Sequence, residues 1–138
     1  MRRIGHFING QLVPGDGARL GDVFDPATGQ VQARVALASA DDVSTAVAAA
    51  QAAFPAWAAT PPLARARVLF RYKALLEQHA DEIAAAITAE HGKVLADARG
   101  EVTRGIEVVE FACGAPHLLK GEHSMDVGRD VDSWSEYA

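Results

Sequence analysis

Ser39-Ala40-Asp41-Asp42-Val43-Ser44-Thr45-Ala46-Val47 is where the chain changes its period, and the fold class turns on this stretch. Ser39 offers a side-chain oxygen to the unpaired N–H groups of a first helical turn. Asp41 and Asp42 put carboxylates where the helix dipole favours them. Val43, Ala46, Val47, Ala50, Phe54 and Trp57 then recur at helical spacing, which predicts an amphipathic helix ending near Ala59.

Upstream, the segments are short and extended. Phe7-Ile8 and Gln11-Leu12-Val13 flank Asn9-Gly10, a pair that supplies the two positive-φ residues of a tight hairpin turn. Val23-Phe24 and Val31 to Val35 flank Asp25-Pro26-Ala27-Thr28-Gly29, whose proline and glycine set a second turn. The N-terminal part is therefore expected to be a small antiparallel element.

Downstream, Thr60-Pro61-Pro62 opens a second helix with proline in its tolerated first turn. Its apolar face runs through Val68, Leu69, Tyr72, Leu75, Leu76, Ile83 and Ile87, and Gly92-Lys93 ends it. A third helix is expected from Val94 to about Gly114, with Val102, Ile106, Val109 and Cys113 on one face and Pro116 disturbing its end. Glu122 to Val127 and Val131 to Tyr137 read as strands around Gly128-Arg129-Asp130. The whole is an α+β chain, mostly helical, with N-terminal β hairpins and a C-terminal strand pair. A last strand finishing at Ala138 without a stop signal suggests a chain cut before its main sheet.

A chain of 138 residues with 49% apolar content can bury roughly two-thirds of its unfolded surface as one domain. A net charge of −5 disfavours a nucleic-acid partner, which needs a concentrated basic surface. No window approaches a membrane span, and Met1-Arg2-Arg3 is not followed by the apolar run of a secretory signal. Cys113 is the single cysteine, so no intrachain disulfide forms, and cytoplasm or an organelle matrix is the expected location.

Candidate chemistry is sparse. Cys113 lies late in a helix on its apolar face, so a small buried core residue is favoured over a nucleophile. His6, His79, His91, His117 and His123 form no helical zinc pair. His117 and His123 with Glu122 make only a weak cluster. Gly15-Asp16-Gly17 belongs to no nucleotide-binding loop, and Arg65, Arg67 and Arg71 read as a solvated face. Arg104 is different, because it stands beside Gly105, which allows a group to approach the helix, and its planar fork suits a carboxylate. Glu101 and Glu107, three residues to either side, offer ordinary surface pairs, and spacing alone favours that alternative.

Asp25-Pro26-Ala27-Thr28-Gly29, Phe54-Pro55-Ala56-Trp57 and Glu90-His91-Gly92-Lys93 together resemble the aldehyde dehydrogenase superfamily, with Asp25 where the family usually has asparagine. The run from Gly100-Glu101-Val102-Thr103-Arg104-Gly105-Ile106-Glu107 through Pro116-His117-Leu118-Leu119-Lys120-Gly121-Glu122 resembles the methylmalonate-semialdehyde dehydrogenase branch. The resemblance covers Phe7 to Tyr137, the opening of such an enzyme. It implies an α/β parent whose doubly wound domain binds NAD. Residues 1–119 would supply that domain's outer β element and leading helices, and residues 120–138 the start of a β-arm that joins subunits into dimers and tetramers. The implied reaction has a thiolate attack a semialdehyde, hydride pass to NAD, and coenzyme A release the acyl group with loss of carbon dioxide or bicarbonate, as in valine breakdown. Arg104 matches the branch's carboxylate-recognising arginine. The family's nucleotide loop, oxyanion-stabilising asparagine, general-base glutamate and catalytic cysteine have no match here, Cys113 included. The 138 residues alone are therefore expected to be inactive. The alternative is a stand-alone assembly or regulatory module derived from the same family.

Overall fold

A computed structural model describes residues 1–15 and 19–137. Among them the order is β1 (Arg2–Ile4), β2 (His6–Ile8), β3 (Gln11–Val13), β4 (Leu20–Phe24), β5 (Val31–Ala36), α1 (Ala40–Ala59), α2 (Pro62–Gln78), α3 (Ala80–His91), α4 (Leu95–Cys113), α5 (Ala115–Leu118), β6 (Glu122–Gly128) and β7 (Val131–Ser135). Contacts group the chain into two compact units. One is Met1–Thr60 with Asp81–Glu101, the other Pro61–Ala80 with Val102–Ala138.

In the first unit, β2 and β3 pair around Asn9 (φ 52°) and Gly10 (φ 76°), the tight turn that the Asn-Gly pair dictates. β4 and β5 pair antiparallel across a turn in which Asp25 O accepts from Gly29 N at 2.8 Å and Asp25 Oδ1 from Ala27 N at 2.8 Å. The expectation of a purely antiparallel element is corrected by β1, which runs parallel to β5 with Arg2 opposite Ala33 and Ile4 opposite Val35. Arg2-Arg3-Ile4 is short and charged, so its strand state comes from this long-range pairing and leaves no local pattern. Gln32 Nε2 donates to Phe24 O and to Ala89 O of α3, each at 3.2 Å, and Arg2 bonds Glu90 at 3.1 Å. The buried core of this unit is Ala33, Ala36, Ala84 and Ala98.

The second expected helix is two helices, because α2 ends at Gln78 and α3 begins at Ala80. Leu76 and Ile83 lie one heptad apart, so the apolar phase runs unbroken through the junction and conceals it. The break is marked only by Asp81 and Glu82, acids suited to a new first turn. Pro116 does not merely disturb the end of α4 but sits in the opening of the one-turn α5. The last strand stops at Ser135, short of Tyr137. In the second unit Ala66, Val102 and Cys113 are buried, and β6 pairs with β7 in a hairpin exposed along its whole length. The apolar stripe expected of α1 is exposed too: Phe54 retains 67% of its accessible surface, and α1 has no buried residue.

The start of α1 is a reciprocal cap. Asp42 N donates to Ser39 Oγ at 3.1 Å, and Asp42 Oδ2 accepts from Ser39 N at 2.9 Å. These bonds, with the nearby His6, hold the Asp42 carboxyl below its ordinary range. A carboxyl depressed in the folded state lends stability above its unfolded value near 3.8, and that stability is lost as pH falls through the lower folded value. Ser39→Ala is expected to cost about 1 kcal/mol in denaturant unfolding at neutral pH. Asp42→Asn should flatten the acid limb of a stability titration below pH 4, and an unchanged limb would remove Asp42 as its source.

Candidate functional site

α4 carries the strongest candidate. It is a continuous helix beginning with Asp97 in its first turn, and Val102 and Cys113 turn its apolar face inward while Thr103, Arg104 and Gly105 stay exposed. Arg104 makes no ion pair among the described residues, and a Cβ at Gly105 would meet nothing within 4 Å. Arg104 is exposed, with its five donors available to an anion. The surface pairing that spacing alone favours for Arg104 does not form among the described residues. Glu101 instead accepts from Lys93 Nζ, and Glu107 remains exposed.

Lys93 and Glu101 were not legible as a pair, since eight residues and a helix break separate them. What brings them together is Gly92, at φ 84°, where an added Cβ would lie 2.9 Å from Pro26 Cγ. Only glycine combines that backbone with that approach, so α3 ends there and the chain turns back toward α4. Lys93 is half-buried, its side chain 17% exposed.

Other candidates stay apart. Cys113 is buried 6% exposed, as a core residue. Near it, Lys73 donates to Glu77 at 2.7 Å and faces Glu110 at 3.9 Å. Its ammonium is held above the usual lysine range by that bond, and further by the charges of Glu110, Glu77 and Cys113. Glu122, His117 and His123 are exposed, and no three His, Cys, Asp or Glu residues gather as metal ligands among the described residues. Arg67 and Arg71 are exposed, whereas Arg65 is half-buried with its Nε lacking a hydrogen-bond partner among the described residues.

His6 and Asp42 are a juxtaposition that sequence reading missed, 3.9 Å apart beside a cavity of about 270 Å³ bounded by Phe7, Ile8, Val43 and Ala46. The Ser39 capping signal located Asp42, but nothing in the spacing linked it to β2. Of Gly15-Asp16-Gly17, Gly15 has φ 74° and the other two lie outside the described residues. No helix among the described residues is long and apolar enough to cross a membrane.

The sequence profile of the Aldehyde dehydrogenase family matches residues 12–136. A malonate-semialdehyde dehydrogenase of Pseudomonas aeruginosa is 51% identical over 137 residues, which is 99% of this chain and 27% of that protein. The crystal structure of a methylmalonate-semialdehyde dehydrogenase from Oceanimonas doudoroffii superposes with a TM-score of 0.90 at 61% identity, covering 99% of this chain and 28% of that one. A Sinorhizobium meliloti protein assigned as methylmalonate-semialdehyde dehydrogenase, solved with NAD, gives 0.89 at 46%, with the same coverage. The chain thus spans about a quarter of the length of these relatives. With the profile matched over most of its length and the N-terminal part of that fold reproduced, the chain belongs to the aldehyde dehydrogenase family.

Proposed function

We propose that these residues serve as the opening segment of an NAD-dependent, CoA-acylating dehydrogenase of malonate or methylmalonate semialdehyde. The overall reaction takes semialdehyde, coenzyme A and NAD to acyl-CoA, carbon dioxide or bicarbonate, and NADH. The observation that carries the reading is the exposed Arg104, which makes no ion pair among the described residues and precedes Gly105 on α4, in a chain whose relatives bear the names of enzymes for carboxylated aldehydes. A substrate carboxylate entering a protein site needs a paired cation, and arginine offers it two parallel hydrogen bonds.

The strand-to-helix turn in these residues does not fit NAD. The strand-to-helix turn from β5 into α1 is closed by Ser39 and Asp42, and its first turn carries two carboxylates that would repel a pyrophosphate. Cofactor, coenzyme A and nucleophile are therefore assigned to the remainder of the enzyme. The contribution of this segment is substrate orientation through Arg104 and, through the exposed β6–β7 hairpin, assembly of subunits. Met125, Trp134 and Tyr137 each keep at least 70% of their surface exposed, as an unfilled interface would.

Calorimetric titration of the 138-residue chain with NAD is expected to give no saturable heat at micromolar strength. Such heat would place a phosphate site within these residues. The same chain is expected to self-associate in sedimentation velocity, and Trp134→Lys on β7 should shift it toward monomer. A wild-type chain that is monomeric throughout would remove the hairpin from assembly.

In the full-length enzyme, Arg104→Ala should lower kcat/KM for malonate semialdehyde by roughly thirty-fold to a thousand-fold, the range for stripping a charged partner from a desolvated anion. Arg104→Lys should recover part of this, because a point charge makes no bidentate contact. Propanal, which lacks the carboxylate, should be almost unaffected. Equal losses for both aldehydes would show that Arg104 only supports the helix.

A further inference from the structure

The β6–β7 hairpin has two outer edges, since among the described residues β6 and β7 pair only with each other. The two edges differ. Between the pairs Ser124 with Ser133 and Gly128 with Val131, β6 has three residues where β7 has one. The excess forms a bulge in which Asp126 adopts φ 52° and donates its N–H to Asp132 Oδ1 at 2.9 Å. A bulge bends its strand and interrupts the row of outward N–H and C=O groups, so the β6 edge is a poor template for a further strand. β7 is regular from Val131 to Ser135 and holds no proline, lysine or positive-φ residue that would blunt its edge.

Charge selects how a second copy of β7 can lie on that edge. Laid antiparallel about a two-fold axis, the pair can be centred on Asp132, Ser133 or Trp134. Centring on Asp132 sets two carboxylates face to face, and centring on Trp134 sets Asp132 against Glu136, both destabilising. Centring on Ser133 sets Asp132 against Trp134 and Val131 against Ser135, so no like charges oppose within the strand. Asp130 and Glu136 come opposite only past the strand ends. Each Trp134, 70% exposed in the single chain, then gains a neighbouring strand to lie against. We infer that β7 is a self-pairing edge, along which two copies of this chain join antiparallel about Ser133 into a four-stranded sheet of order β6–β7–β7–β6. The inference rests on the assembly role given to the hairpin above and names its partner and register.

The test introduces single cysteines into the 138-residue chain, with the wild type, whose buried Cys113 is its only thiol, as background. Cα atoms of directly opposed strand residues lie about 4.5–5.5 Å apart, within the reach of a disulfide. Under mild oxidation Ser133→Cys is therefore expected to give a covalent dimer as its main product, because it faces its own counterpart. Ser135→Cys, which would face Val131 of the second copy, and Ser124→Cys on β6 are expected to give no more dimer than the wild type. Linking of Ser124→Cys or Ser135→Cys to the same extent as Ser133→Cys overturns the edge or the register. If none of the three links while the wild-type chain sediments as a dimer, the β7 pairing falls and the assembly role of the hairpin stands. A wild-type chain that is monomeric throughout removes both.

Discussion

The first unit depends on the close approach of backbones across a core made of alanine. Ala33, Ala36, Ala84 and Ala98 are its buried apolar residues, and among the described residues no large side chain is fully buried. Small residues contribute little apolar area each, so the approach has to be fixed by polar and conformational means. Gln32 does this by donating to two carbonyls at once, one on β4 and one on α3, and Gly92 does it by accepting a positive φ against the Pro26 ring. A longer side chain at Gly92 would meet both the strained dihedral and the proline, and the turn that aims Lys93 at Glu101 would shift.

Local chemistry was readable wherever a turn or cap is dictated by residue type. Asn9-Gly10, Asp25 to Gly29 and the Ser39 cap all stand as their sequences require. Elements made by distant partners were not. β1 is a strand because β5 lies beside it, and a charged three-residue run has no periodicity to reveal that. The division between α2 and α3 was hidden for the opposite reason, since Leu76 and Ile83 keep helical phase across it. The site divides the same way. Gly105 beside Arg104 was visible as an opening on a helix, whereas the Lys93–Glu101 bond depends on a tertiary turn. The role given to Arg104 came from resemblance, because its spacing to Glu101 and Glu107 pointed to surface pairing instead.

The exposed faces carry a related lesson. Phe54 and Trp57 on α1 follow the apolar pattern and Trp134 lies in an expected strand, yet all three remain exposed. Periodicity reports which face an element would bury and says nothing about whether its cover lies within the same 138 residues. The relatives that the chain matches are nearly four times as long as the chain.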